Sequence, residues 1–151
     1  MSLRRKLPGL KLHTEAMDSR DWKRETRNWR KEMINNFRDL QVYQKAYEVS
    51  LEIHKLSLRF PQYERDELGS QIRRASKSVA MNIAEGFGRN DSLADFKRFI
   101  VMALGSCDEV RVQLDYCKDL GYINEEQYKT YEEAYVVVGK MLTKMLKTWS
   151  K

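Results

Sequence analysis

Leu68-Gly69-Ser70-Gln71-Ile72-Arg73-Arg74-Ala75-Ser76-Lys77-Ser78-Val79-Ala80-Met81-Asn82-Ile83-Ala84-Glu85-Gly86-Phe87-Gly88 is the stretch whose reading decides the fold. Its apolar residues Leu68, Ile72, Ala75, Val79 and Ile83 recur in steps of four and three, the period of one helix face. Between them lie glycines, serines and alanines, short side chains that let a second helix approach closely. The spacing predicts a helix from about Glu67 to Phe87, with Gly86 and Gly88 as a left-handed stop.

The same rhythm continues on both sides. Downstream, Ser92-Leu93-Ala94-Asp95 reads as a capping box, in which the serine accepts an amide and the carboxylate reaches back. Phe96, Ile100, Ala103, Cys107, Val110, Leu114 and Cys117 then form a four-three seam that Gly121 closes. A last helix begins at Asn124, has Glu125 and Glu126 in its first turn, and carries Tyr128, Tyr131, Tyr135, Val138, Leu142, Met145 and Trp149.

Upstream, a segment from about Phe37 to Phe60 carries Val42, Ala46, Val49, Ile53, Leu56 and Phe60. A second stripe runs beside it through Leu40, Tyr43, Tyr47, Leu51, His54 and Leu58, predicting burial against two neighbours. Pro61 is expected to end this helix. Short connections place successive helices antiparallel, so the pattern predicts an all-α, up-down-up-down four-helix bundle over residues 37–151.

The 151 residues are 42% hydrophobic and 33% charged, values for one folded domain. With 7 Gly and 2 Pro, turns are too few for a β-sandwich or barrel. No apolar run of about 18 residues exists to cross a membrane. No apolar core follows the basic N-terminus, so no secretory signal is expected and the location expected is cytoplasmic.

Ten of the 28 basic residues lie in residues 1–36, against five acids, leaving 18 basic and 17 acidic groups in 37–151. Most of the net charge of +6 therefore belongs to a basic N-terminal extension. Within it, Trp22, Thr26, Trp29 and Met33 share a helical face flanked by Lys23, Arg27, Arg30 and Lys31. Such an amphipathic helix suits an anionic surface or RNA bases, and equally suits docking of its tryptophans on the bundle or a neighbouring subunit.

Gln71-Ile72-Arg73-Arg74-Ala75-Ser76-Lys77-Ser78-Val79-Ala80-Met81-Asn82-Ile83-Ala84-Glu85-Gly86-Phe87-Gly88-Arg89 resembles the four-helix-bundle proteins encoded in 23S rRNA intervening sequences. Phe37-Arg38-Asp39-Leu40-Gln41-Val42-Tyr43-Gln44-Lys45-Ala46, Phe60-Pro61-Gln62-Tyr63-Glu64, Phe96-Lys97-Arg98-Phe99 and Gly105-Ser106-Cys107-Asp108-Glu109 are similar to further parts of that family, in order over about residues 37–147. The resemblance implies a ring-like homopentamer and no established biochemical activity. Relatives resemble the accessory subunit of diversity-generating retroelements, which binds nucleic acid and a reverse transcriptase. The family pattern starts near Phe37, so Met33 is a candidate natural start. An AGG codon at Arg30, after the UGG of Trp29, would supply a ribosome-binding site for it, and a CGN codon would remove that site.

No cofactor and no metal are expected, because His13 and His54 are too few and too isolated for a zinc set. Cys107 and Cys117, ten residues apart on one helix and roughly 15 Å apart, cannot pair with each other. Asn82 and Glu85 share a face without a partner for acid–base work, so no enzyme is expected. Structural roles are expected instead: Glu85 pairing with an arginine of a neighbouring helix, and Asn82 satisfying backbone near Gly86.

The candidate nucleic-acid contacts in the body are Arg73, Arg74, Lys77, Arg89, Lys97 and Arg98, with Lys23, Arg27, Arg30 and Lys31 in the extension. A ring would multiply weak phosphate contacts into avidity. Against this stand the near-neutral body and nearby Glu67, Asp91 and Asp95. Two other readings remain open at this point, a solvated salt-bridged surface and a scaffold that gathers protein partners.

Overall fold

A computed structural model describes residues 34–148, and the basic extension with its Lys23, Arg27, Arg30 and Lys31, as well as Trp149, lies outside the described residues. A 3-10 turn at Phe37–Asp39 opens the described part, its Arg38 amide capped by the Asn36 side chain. Four long helices follow: α1 Gln41–Ser57, α2 Leu68–Gly88, α3 Leu93–Asp119 and α4 Glu125–Thr148. α1 packs on α2 and α4, and α3 also packs on α2 and α4, so α1 and α3 occupy opposite corners. Side-chain contacts fix an antiparallel register at each junction: Arg73 to Ser57, Ser78 to Ser106, and Arg111 to Glu132. Among the described residues the architecture is an up-down-up-down four-helix bundle without strands.

The core is built from the predicted seams. Val42, Ala46, Val49, Ile53, Leu56 and Phe60 are buried, as are all seven members of the α3 seam. Tyr135, Val138, Leu142 and Met145 complete the core from α4, with Tyr135 its largest fully buried side chain. Burying each large aliphatic contributes about 1.5–3 kcal/mol.

Local details depart from the sequence reading at four points along the chain. α1 ends at Ser57, because Arg59 and Phe60 donate to the Leu56 and Ser57 carbonyls in a tightening turn. Pro61 instead precedes a short helix, Gln62–Asp66, and its carbonyl accepts the Glu64 and Arg65 amides at 2.9 and 3.0 Å. Phe60 reaches the core from that turn, so the apolar pattern outlasts the helix.

The second α1 stripe is the larger departure. Leu40 is buried, but Tyr47, Leu51 and Leu58 stand about half exposed. α1 has two neighbours, α2 and α4, but the first stripe serves both, and Tyr47, Leu51 and Leu58 face neither.

Gly86 and Gly88 do not form a left-handed stop; Gly121, at φ +79°, is the one positive-φ residue among those described. A Cβ on Gly86 would stand 3.1 Å from the Phe99 Cβ and 3.4 Å from the Phe96 carbonyl, so the glycine serves the close α2–α3 crossing. Gly121 is the true terminator: with Tyr122 donating to Cys117 at 2.8 Å and Gly121 to Lys118 at 3.0 Å, it closes α3 in a Schellman motif.

At the start of α3, Ser92 Oγ accepts the Asp95 amide at 3.2 Å, but Asp95 does not reach back, since the Ser92 amide is taken by the Arg89 carbonyl. The reciprocal cap lies on α4, where Asn124 and Gln127 each accept the other's backbone amide, at 2.8 and 2.9 Å.

Val79 and Val110 sit fully buried on facing helices. Val79→Asp or Val110→Asp would place an unpaired carboxylate there and is expected to remove several kcal/mol of stability. Urea denaturation followed by circular dichroism measures this, and an unchanged midpoint for either variant would mean that the face is misassigned.

Candidate nucleic-acid interface

The six body cations proposed from the sequence fall into two groups. Along α2, Arg73 and Arg89 are separated by roughly 24 Å of helix rise, too far to share one phosphate. The first group is Arg73, Arg74 and Lys77. Arg73 is half-buried, and its guanidinium donates to Ser57 Oγ at 2.9 Å and to the Arg65 carbonyl at 2.9 Å. Ser57 in turn donates to the His54 carbonyl at 2.7 Å. Arg73 thus binds the end of α1, the connecting segment and α2 together, a structural task that sequence spacing cannot reveal. Arg74 and Lys77 are exposed. His54 lies beside this group; desolvation and then the charges of Lys77 and Arg73 push its pKa below the usual histidine value.

The second group surrounds the α2–α3 turn. Arg89 bonds Glu85 one turn back, Nε at 3.0 Å and Nη2 at 2.9 Å. The partner of Glu85 is therefore on its own helix end rather than a neighbouring helix, at the i, i+4 spacing that favours such a pair. Arg98 lies 3.7 Å from Asp95. Both guanidiniums approach one ring: Arg89 at 5.2 Å and Arg98 at 5.0 Å from the Phe99 centroid. Lys97 is half-buried on the adjoining turn of α3. Phe99, the shared platform, was not singled out from the sequence; the signal for it was its place directly after Lys97-Arg98.

These ion pairs are about half exposed, which makes each worth little. A backbone phosphodiester, singly charged with two free oxygens like a carboxylate, can exchange with Glu85 or Asp95 at small cost because these pairs are worth little. The start of α1 and the end of α4 lie at the same end of the bundle as the α2–α3 turn, with Arg38 and Lys147 beside Asp39, Glu85, Asp91 and Asp95. At the opposite end Glu64, Asp66, Glu67, Asp119, Glu125 and Glu126 stand among Arg59, Arg65, Arg73, Lys118 and Lys129. The α2–α3 turn is thus set apart by two arginines gathered on one ring rather than by a polarity of the whole body.

Ser76, Ser78 and Asn82 of α2 are occupied. Asn82 donates to the Ser78 carbonyl at 2.9 Å and to its hydroxyl at 3.0 Å, and that hydroxyl shares a 2.9 Å hydrogen bond with Ser106 of α3. Asn82 thus braces the α2–α3 crossing rather than the helix end, since the carbonyl four residues back is the nearest acceptor. Burial pushes the Cys107 and Cys117 thiols up to about 12, which keeps them protonated and unreactive. Among the described residues no group of three His, Cys, Asp or Glu is placed to hold a metal ion, and no helix is long and apolar enough to cross a membrane.

The two arginines of α2 should separate cleanly on mutation. Arg73→Ala removes both links across the α1–α2 connection and is expected to cost about 1–3 kcal/mol, whereas Arg74→Ala should stay within about 0.5 kcal/mol. Thermal melts of the two variants side by side measure this, and equal melting temperatures would contradict the structural role of Arg73.

No curated protein matches the chain. A crystal structure of a protein with unknown function from the S23 ribosomal protein family, from Bacteroides thetaiotaomicron, is similar at 26% identity with a TM-score of 0.65, covering 70% of this chain and 95% of that one. The family model for the 23S rRNA-intervening sequence protein matches residues 38–144. That span runs from the opening 3-10 turn to the last turns of α4 and contains both arginine groups, and on this evidence the chain belongs to the 23S rRNA-intervening sequence protein family.

Proposed function

We propose that the protein is a non-enzymatic accessory factor that assembles with itself and holds nucleic acid, RNA foremost, by its phosphates. The observation that carries the reading is the Arg89–Phe99–Arg98 corner at the α2–α3 turn. Two guanidiniums on one aromatic ring, each backed by an exchangeable carboxylate, make a bidentate phosphate clamp with a stacking surface for a base. In a cyclic assembly whose bundles stand along the symmetry axis, every copy contributes that corner to one rim, and avidity supplies what a single clamp lacks. The number five for such a ring comes from the family resemblance alone. The half-exposed apolar residues of α1 and α3 support self-association. The neutral body favours a second reading, a scaffold for a protein partner such as a reverse transcriptase, without direct nucleic-acid contact.

Fluorescence anisotropy of one RNA across a salt series separates these readings. The full chain, a chain beginning at Met33 and its Arg89→Ala/Arg98→Ala variant are compared. Binding by the extension alone disappears with the truncation. If the corner binds, the truncated protein retains affinity, and the double variant lowers the logarithmic salt slope by about one unit per lost phosphate contact. A truncated protein without affinity even at low salt would overturn the reading and leave the scaffold.

A further inference from the structure

Asn82, Glu85 and Arg89 follow one another on a single face of α2, at i, i+3 and i+7. Phe99, Met102 and Ser106 do the same on α3. The two rows meet along one seam. A Cβ on Gly86 would stand 3.1 Å from the Phe99 Cβ, and Ser78 shares a 2.9 Å hydrogen bond with Ser106. Asn82 lies halfway between those contacts on α2, and Met102, 48% exposed, lies halfway between them on α3. The Arg89–Phe99–Arg98 corner therefore continues along the seam into a strip with Asn82 on one side and Met102 on the other.

Asn82 and Glu85 offer this strip acceptors and no donor. Both amide hydrogens of Asn82 are spent within α2, on the Ser78 carbonyl at 2.9 Å and the Ser78 hydroxyl at 3.0 Å. A carbonyl only accepts, so this contact fixes which end of the carboxamide is nitrogen and leaves Oδ1 as the acceptor end. Among the described residues no donor reaches that oxygen. Glu85 gives its Oε1 to Arg89, and both side chains are about half exposed. When a phosphodiester takes the Arg89 guanidinium, the Glu85 carboxylate is released beside it with two oxygens to satisfy. A charged acceptor freed next to a bound nucleotide finds its donors on the base.

The four bases differ in what they offer such a pair. Guanine alone presents two adjacent donors on its Watson–Crick edge, N1–H and the N2 amine, which match the two oxygens of one carboxylate. The second hydrogen of that amine is left for a further acceptor, and Asn82 Oδ1 lies within one helical turn of Glu85. Adenine and cytosine set a ring-nitrogen acceptor beside their amine, and uracil sets two carbonyls around its single N–H. A carboxylate repels part of each of those edges. Met102 supplies a polarisable apolar surface against the plane of the base.

We propose that Glu85 and Asn82 read the base of the nucleotide whose phosphate Arg89 and Arg98 hold, and that they select guanine. The inference rests on the phosphate clamp proposed above and specifies its ligand. It couples the two contacts, because Glu85 becomes available to the base only when a phosphate has taken Arg89. Without a phosphate the carboxylate stays with its arginine.

Fluorescence anisotropy of the full chain with four single-stranded RNA hexamers tests it. One is all uridine, and the others carry a single central guanine, inosine or adenine in the same hexamer. The guanine hexamer should bind about tenfold tighter than the all-uridine one, within the range that one bidentate base contact gives. Inosine, which lacks the N2 amine, should fall between them, and adenine should match uridine. Phosphate contacts of the basic extension carry no sequence information, so they cannot create this ratio. Glu85→Gln, at an exposed position where the fold is retained, replaces one acceptor oxygen by a donor and should bring the guanine-to-uridine ratio to about one. Equal wild-type affinity for the guanine and uridine hexamers, or a ratio that survives Glu85→Gln, would overturn the base reading while the clamp stood. Arg89→Ala/Arg98→Ala should weaken all four hexamers together, and four affinities unmoved by it would overturn the clamp itself.

Discussion

The close crossing of α2 and α3 governs the rest of the molecule. At one point Gly86 lets the α2 backbone approach the Phe96 carbonyl and the Phe99 Cβ. Two turns away, Ser78 and Ser106 share a hydrogen bond across the same seam, braced by Asn82. A larger residue at Gly86 would force the helices apart, and an apolar one at Ser78 would strand the Ser106 hydroxyl. These short side chains fix the separation and the sliding register together. The seam residues Val79, Ile83, Ile100 and Val110 then fall inward as a consequence.

Register in turn distributes the charge. Because α3 begins within a turn of where α2 ends, Arg89 and Arg98 meet on Phe99. Because Gly69 lets α2 approach the Ser57 carbonyl, and the Arg73 side chain reaches back to the Ser57 hydroxyl, the height of α1 against α2 is fixed as well. A body with nearly equal numbers of acids and bases thus gains one corner where two arginines share an aromatic ring. Net charge alone conceals all of this.

The buried half of the structure was legible from spacing. Every residue of the α3 seam was placed correctly, because a four-three repeat over seven positions admits one inward face. Gly121 was legible as a terminator, and Asn124 as a cap. Periodicity fails where it reports apolarity rather than burial. The second α1 stripe satisfied the same rule as the first, yet its partner is not in the described chain. Gly86 and Gly88 resembled a helix stop because a glycine needed for close approach looks, in one dimension, like a glycine needed for a positive φ. Arg73 looked like a phosphate ligand because its partners, a serine hydroxyl and a backbone carbonyl, leave no charge pattern.

The crossing itself is open to direct measurement. The Ser78 and Ser106 hydroxyls are 2.9 Å apart, which brings their Cβ atoms near the ~3.5–4.5 Å span of a disulfide. Cys107 and Cys117 are buried and held protonated, so they do not compete. In a Ser78→Cys/Ser106→Cys chain, mild oxidation of the folded protein should close one intramolecular disulfide, read by mass under non-reducing conditions and by the loss of two titratable thiols. Thiols that stay free, or that pair only between chains, would contradict the register on which the Arg89–Phe99–Arg98 corner depends.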